Sequence, residues 1–241
     1  DSISFNNFND VEACNYLRSL NADLFVVVAF RILPENVINI PRYGSINLHP
    51  SLLPKYRGSS PIQQSILNGD KETGVTIFKL NSKVDSGDVI IQNKYKIQDD
   101  IIFSDLYCEL ANFGAQTLLK AVDLIDQGKF SFLAQNKENI SYAFKIEKKD
   151  CQINWFESAY KINNKVRAFS DNPGAFTFLN SKKVKIFGSK VETLNLDKEL
   201  SPSECIYADG MLFIGTGEGI LSVKNIQIEG KKNISAKDFS N

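Results

Sequence analysis

The chain has 241 residues, enough for one large domain or two small ones, and its apolar and charged fractions, 43% and 23%, are those of ordinary globular proteins. Its 28 acidic and 28 basic residues cancel, so no overall positive field indicates a nucleic-acid partner. The four cysteines form no C-x-x-C pair and have no histidine nearby, and no apolar run is long enough to cross a bilayer, which excludes a recognisable zinc site, a disulfide framework and a membrane span.

Up to about Gln135, strand-like and helix-like patterns alternate, which favours a parallel or mixed α/β sheet. The most apolar stretch, residues 24–30, is typical of a buried strand, and residues 103–126 have the spacing of a long amphipathic helix that Gly128 ends. Asn9-Asp10 can cap a first helix that carries Val11, Cys14, Leu17 and Leu20 on one side. The other predicted elements are a strand ending at His49, a helix over 61–67, and strands over 76–80 and 89–95.

After about Gln135 the pattern changes to short apolar strands separated by glycine turns, which indicates a small barrel or sandwich. A helical spacing over residues 157–169 comes first. The predicted strands cover residues 175–179, 184–187, 204–208, 212–215 and 220–228. We therefore place a domain boundary between residues 135 and 142 and predict two domains, 1–138 and 139–241.

The single histidine of the chain, His49, follows Asn47 by two residues at the end of a predicted strand. Because successive side chains of a strand alternate between its faces, the two side chains lie on the same face. An amide can donate to a developing oxyanion, and an imidazole can move a proton near neutral pH. So short a motif also describes a histidine with only a structural role.

A second polar segment, Lys83 to Asp88, carries D-S-G-D in a loop between two predicted strands. Taken alone it is an ordinary turn, because Asp and Gly are the usual turn residues. If Asp85 lies near His49, its carboxylate holds one tautomer and favours the imidazolium form. The two segments together therefore predict a catalytic site.

With the loop S-L-L-P-K-Y-R-G at residues 51–58, the trio Asn47, His49 and Asp85 resembles the 10-formyltetrahydrofolate-dependent formyltransferases. The resemblance covers nearly the whole chain. Its C-terminal segments, Y-A-F-K-I, I-N-W, V-R-A-F, P-G-A and G-K-K, are similar to the appended barrel of the methionyl-tRNA formyltransferases. The fold implied is α/β: a partial Rossmann-like formyltransferase domain, which is N-terminally truncated, followed by a small OB-like β-barrel that binds tRNA.

The function implied is transfer of a formyl group from 10-formyltetrahydrofolate to methionyl-initiator tRNA, for translation initiation, without a metal. Asn47 would hydrogen-bond the formyl oxygen, His49 would handle the amine proton, and Asp85 would orient His49 and compensate its charge. We expect a monomer with no membrane partner, in the cytoplasm of a bacterium or in an organelle matrix. Arg57 and the barrel lysines are candidates for contact with tRNA phosphates.

The resemblance also implies a folate site on two segments. The first segment follows the strand over 24–30, and in related transformylases the backbone of this segment hydrogen-bonds the pteridine edge. The second segment is the beginning of the S-L-L-P-K-Y-R-G loop. The residues are Arg31, Ile32 and Leu33, and then Ser51, Leu52, Leu53 and Pro54. The apolar members are equally well explained as packing residues, since most apolar side chains are buried for that reason.

Two departures from the family are visible. Phe144 stands where the family usually has proline, and family members begin with additional strands of the sheet. We expect the strand over 24–30 to be an exposed edge, and the chain to be a fragment or poorly active by itself. The alternatives are a sugar-amine formyltransferase, another folate transformylase or hydrolase, and a non-catalytic tRNA-binding fragment.

Overall fold

The computed structural model describes residues 3–8, 10–28, 32–170, 172–193 and 200–240. The chain forms two compact units, of which the first comprises Asp1–Pro61, Glu72–Lys96 and Cys108–Phe144, and the second Ile62–Lys71, Ile97–Tyr107 and Lys145–Asn241. Among the described residues, no helix has both the length and the apolar character that a membrane crossing requires. The helices and strands are, in chain order, α1 (Val11–Ser19), β1 (Phe25–Val27), α2 (Glu35–Ile38), β2 (Ser45–His49), β3 (Arg57–Gly58), α3 (Pro61–Leu67), β4 (Glu72–Lys79), β5 (Val89–Lys96), α4 (Phe103–Asp126), β6 (Tyr142–Ala143), α5 (Ala159–Ala168), β7 (Phe176–Leu179), β8 (Lys182–Glu192), β9 (Cys205–Ala208), β10 (Met211–Gly215), β11 (Ile220–Ile228), β12 (Asn233–Ser235) and α6 (Ala236–Ser240).

The first unit is built on a four-stranded mixed sheet with the order β1-β2-β4-β5. β1 runs parallel to β2, whereas the β2–β4 and β4–β5 pairs are antiparallel. Ile46 of β2 and Ile77 of β4 pack against Ala121 and Ile125 of α4, and all four are buried. This apolar contact fixes the sheet against the helix. The mixed α/β sheet and the bounds of α4 confirm the sequence-based predictions.

The edge of this sheet departs from part of the prediction. We predicted a strand over residues 24–30, of which residues 29 and 30 lie outside the described residues. Within the described part, the strand is β1, Phe25–Val27. Val26 and Val28 are 45% and 54% exposed, so the prediction of a buried strand is wrong for this part. Among the described residues, β1 has a neighbouring strand on one side only, which agrees with the expected exposed edge.

Helix α1 also packs differently from its prediction. Of the four residues expected on the packed side, Cys14 is buried and Leu17 is half-buried, whereas Val11 and Leu20 are 74% and 49% exposed. Ala13, which we did not predict there, is buried, so the packed stripe is shorter than predicted and displaced toward Ala13.

The second unit contains a six-stranded antiparallel sheet in which β7, β8, β11, β10 and β9 are neighbours in that order and β12 pairs with β11. This confirms the predicted change from an α/β part to a part built on a sheet of short strands, which α5 precedes as the helical spacing over 157–169 predicts. β8 is longer than the predicted strand 184–187 because Lys182 and Lys190, which are exposed, and Lys183, which is half-buried, continue the ladder. Exposed lysines lack the apolar alternation by which a strand is recognised.

Candidate active site

His49 ends β2 and is 5% exposed. Its Nε2 lies 2.9 Å from the carbonyl oxygen of Tyr56. Because a carbonyl oxygen only accepts hydrogen bonds, Nε2 carries the proton and donates it, and this assigns the tautomer. The other ring nitrogen, Nδ1, faces Asp85, with 3.6 Å between Nδ1 and Oδ2. The neutral ring therefore presents the Nδ1 lone pair on its Asp85 side.

Asp85 reaches this position from the loop between β4 and β5. Its backbone is in the left-handed region, with φ at 46°, a conformation in which Asp is enriched among non-glycine residues. Its Oδ2 accepts a hydrogen bond of 2.7 Å from the backbone N–H of Gly58. The sequence-predicted pair of His49 and Asp85 is thus brought together in the structure.

Burial lowers the pKa of His49 below the ordinary histidine value of 6.5, against the opposing effects of the Asp85 charge and the Tyr56 carbonyl. At neutral pH the imidazole is therefore neutral and able to accept a proton. We predicted that Asp85 favours the imidazolium form. Its effect has that direction, but the removal of the ring from water is the larger effect. Asp85 instead stabilises the cation once a proton has been taken.

Asn47 is held by the neighbouring strand β1. Its Nδ2 donates a hydrogen bond of 2.9 Å to the carbonyl oxygen of Val27, the residue beside it in the parallel ladder. An amide nitrogen carries two hydrogens, so one hydrogen is available for a ligand while the other fixes the side chain. The side chain is a positioned donor on the same strand face as His49.

The loop at residues 51–58 is held in place by a buried threonine. The Oγ1 of Thr76 donates to the carbonyl of Ser51 at 2.7 Å and accepts from the N–H of Leu53 at 3.2 Å. Gln92 donates to the carbonyl of Leu53 at 2.8 Å and to the Oγ1 of Thr76 at 2.9 Å. Thr76 is also the ladder partner of His49, so one residue aligns the strand and the loop that carries the Tyr56 carbonyl.

Sequence reasoning missed Gln135, which holds the Asp85 loop. Its Nε2 donates to the carbonyls of Asp85 and Gly87 at 2.9 and 2.8 Å. Its Oε1 accepts from the Nε and Nη2 of Arg57 at 3.2 and 2.6 Å. Arg57, which we predicted to contact a tRNA phosphate, thus holds Gln135 through its Nε and Nη2. Its Nη1 takes no part in these two bonds. No local pattern marks a glutamine whose partners are 48 to 78 residues away.

The first predicted folate segment is described in part. Arg31 lies outside the described residues. Ile32 is 72% exposed, and Leu33 is half-buried. An apolar side chain as open as Ile32 contributes little to packing, so this segment offers apolar surface to a ligand.

The second predicted folate segment divides into two kinds of residue. Ser51 and Leu53 are buried, and the Ser51 hydroxyl donates to the carbonyl of Lys55 at 2.6 Å. Leu52 and Pro54 are half-buried and keep part of their side chains open. The buried pair therefore supports the loop, whereas the other two can touch a ligand directly. Among the described residues, no group of three or more His, Cys, Asp or Glu side chains is arranged to hold a metal ion.

Comparison with known proteins gives a family match for two stretches of the sequence. The Formyl transferase family matches residues 3–122, and the family described as Formyl transferase, C-terminal domain, matches residues 145–241. The methionyl-tRNA formyltransferase of Syntrophomonas wolfei subsp. wolfei is 39% identical over 236 residues, covering 97% of this chain and 74% of that protein. That of Fusobacterium nucleatum subsp. nucleatum is 37% identical over 241 residues, covering 98% and 76%.

Solved structures show the same fold at lower identity. HypX from Aquifex aeolicus, determined with tetrahydrofolic acid, superposes with a TM-score of 0.71 at 20% identity. The match covers 95% of this chain but only 40% of HypX. An N-formyltransferase from Helicobacter canadensis, determined with folinic acid and dTDP-3-aminofucose, has a TM-score of 0.64 at 23% identity and covers 80% of this chain and 69% of its own. At these identities the likeness concerns the fold.

Proposed function

The chain belongs to the formyl transferase family, and from that premise we propose that it transfers a formyl group from 10-formyltetrahydrofolate to the α-amino group of methionyl-initiator tRNA, for translation initiation. The main support is the identity of 37–39% to methionyl-tRNA formyltransferases over nearly the whole chain, including the C-terminal unit. The site adds a chemical argument, because it joins a buried neutral imidazole, a carboxylate and a positioned amide donor.

Bound 10-formyltetrahydrofolate supplies an electrophilic formyl carbon to this site. Asn47 donates its second amide hydrogen to the formyl oxygen, which gains negative charge as the amine attacks. Preorganised donors of this kind lower the barrier because they need no reorganisation during the reaction. The Val27 carbonyl keeps the amide in its orientation throughout.

His49 is the general base of the proposed mechanism. Its Nδ1 takes a proton from the attacking amine, while Nε2 remains bonded to the Tyr56 carbonyl. Asp85, 3.6 Å away, stabilises the imidazolium that results. The same proton is then delivered to the nitrogen from which the formyl group departs, so the site returns to its starting state.

The two predicted folate segments offer apolar side chains that can contact the aromatic ring system of folate. Ile32, Leu33, Leu52 and Pro54 each present open or partly open apolar surface. We assign these four side chains to folate contact and Ser51 and Leu53 to support of the loop. Backbone contact by Arg31 stays a prediction.

We further propose residues 1–138 as the catalytic part and residues 139–241 as the tRNA-binding part, in a monomeric enzyme of the cytoplasm. The bacterial origin of the relatives supports the compartment. Sedimentation of the purified chain in the presence and absence of tRNA tests the monomeric state.

The function is tested by incubating the chain with labelled 10-formyltetrahydrofolate and either methionyl-tRNA or a nucleotide-linked amino sugar. We expect the label on the methionyl amine, and a loss of about 100- to 10,000-fold in the His49→Ala variant, because a general base contributes that much. Leu119→Ala, a change at an exposed residue of α4 outside the proposed tRNA-binding part, is the control and should keep its rate. Label on the sugar alone would contradict the proposal in favour of a sugar-amine formyltransferase.

A further inference from the structure

Two exposed aromatic rings stack on each other beside the site. Tyr142 and Phe144 are 56% and 78% exposed, and Ala143 between them is fully buried. Their ring centroids are 5.9 Å apart, and the ring planes differ by 14°. Because side chains alternate along an extended segment, the two rings share the solvent face and Ala143 points inward.

The backbone of this aromatic pair is joined directly to the catalytic loop. Ala143 pairs with Gly58 in the parallel β3–β6 ladder, at the usual spacing of about 4.8 Å between strands. Its carbonyl accepts the N–H of Ser59 at 2.8 Å. Gly58 in turn donates its N–H to Asp85. The pair is therefore fixed to the same loop residue that positions the catalytic carboxylate.

Burial does not explain these rings. Phe144 leaves most of its surface in water, and its stacking on Tyr142 covers only one of its two faces. A flat, exposed π-surface of this kind suits a flat aromatic ligand, and proteins bind unpaired RNA bases by stacking them on such side chains.

We propose that the Tyr142–Phe144 pair is a stacking platform for the unpaired base at the 3′ end of the RNA acceptor. The inference rests on the proposed function. In an aminoacyl-tRNA the amine to be formylated is attached through one ester to the ribose of the terminal nucleotide. When this amine reaches His49, the terminal base lies one ribose away from the reacting group, and the backbone of the platform is linked to His49 through Gly58 and Asp85. Lys55, exposed on the same loop, adds positive charge for the backbone phosphate.

The experiment uses the full chain and a short RNA hairpin that ends in a single-stranded 3′ segment with 2-aminopurine as its last base. Stacking of this base quenches its fluorescence. We expect quenching with the wild type and with Phe144→Trp. We expect it to be lost in Phe144→Ala and Phe144→Leu, with roughly 5- to 150-fold weaker binding, the range that base–aromatic stacking gives. Tyr107→Ala, at an aromatic residue of α4 that is as exposed as Tyr142 but lies outside the proposed tRNA-binding part, is the matched control.

Two results would overturn the platform: no quenching by the wild type, or quenching that Phe144→Ala leaves intact. Retention of binding in Phe144→Leu would overturn it as well, because an apolar contact without π-stacking would then suffice, as in docking of a second protein copy. Circular dichroism of each variant verifies the fold. Formyl transfer to methionyl-tRNA, measured in parallel with the wild type, reports on the proposed function separately, since quenching requires no formyl donor.

Discussion

Two parts of the first unit differ in which side chains they bury: one buries polar side chains, and the other exposes apolar ones. In what we call the His49 corner, defined as His49, Asp85 and the loop 51–58, polar side chains such as His49 and Ser51 are buried. At the β1 edge, defined as Phe25–Val27 with Val28, the apolar side chains of Val26 and Val28 are exposed. The corner is ordered by hydrogen bonds among partners distant in sequence, whereas the edge is ordered by one ladder with β2.

The comparison indicates where the catalytic geometry comes from. A buried polar group is stable only when its hydrogen-bonding capacity is used, and the His49 corner meets this condition through Thr76, Gln92 and Gln135. The β1 edge contributes one essential contact, the Val27 carbonyl that holds Asn47. The reaction therefore depends on hydrogen-bond partners more than on apolar packing, and three sets of variants measure this dependence.

Among these three sets, the largest effect is expected at Asn47, whose side chain is held by the β1 edge and lies on the same strand as His49. Replacing it by alanine removes the oxyanion donor and should lower kcat for formyl transfer by about 100- to 1,000-fold, as at other sites that lose one such donor. Asn93→Ala is the control, because Asn93 bonds to Thr117 in the same unit. A kcat of Asn47→Ala within a factor of three of the control would remove Asn47 from the mechanism.

The next effect concerns the pH dependence of the His49 corner. Since burial lowers the pKa of His49 and the base acts in its neutral form, the acidic limb of kcat/KM should lie below pH 6.5. Asp85→Asn removes the charge that opposes this lowering, so the limb should move to still lower pH. It also removes support for the imidazolium, and we expect kcat to fall roughly 10- to 100-fold.

The pH profile of kcat/KM, measured from pH 4.5 to 8 for the wild type and Asp85→Asn, tests both statements. An acidic limb above pH 6.5, or an upward movement in the variant, would contradict the assignment. The same shift has a consequence for folding. The preference of folded His49 for its neutral form contributes stability that is present above pH 6.5 and is lost as the pH falls through the lowered pKa.

The sequence predicts the proposed reacting groups but not what holds them. Asn47 and His49 are predicted from the two-residue period of a strand, and Asp85 from a polar loop read together with them, because these signals are local. Thr76 and Gln135 carry no such signal, since a threonine in an apolar strand and a glutamine in a loop are ordinary, and their partners lie 25 and about 50 residues away. The fold shows the same difference between elements with and without a local signal. The bounds of α4 follow from its apolar spacing, whereas the ends of β8 carry lysines and could not be recognised as strand.

The smallest effect is expected on the free energy of unfolding, and it compares two buried threonine hydroxyls, one that is hydrogen-bonded and one that is not. Thr76→Val keeps the shape of the side chain but leaves the Leu53 N–H and the Ser51 carbonyl without their partner, so we expect a loss of about 1–3 kcal/mol in the free energy of unfolding. The hydroxyl of Thr73, on the same strand, is buried without a hydrogen-bond partner among the described residues. Thr73→Val should therefore be neutral or stabilising.

Urea unfolding followed by circular dichroism measures these variants, with Val26→Thr at the β1 edge as a third. Because Val26 is already half in water, its change should stay within about 0.5 kcal/mol of the wild type. If Thr73→Val destabilises the protein as much as Thr76→Val does, crowding by the added methyl group, rather than the loss of hydrogen bonds, would account for the loss in both variants. If Val26→Thr is the most damaging of the three, the β1 edge, through its hold on Asn47, determines the stability of this unit more than the His49 corner does.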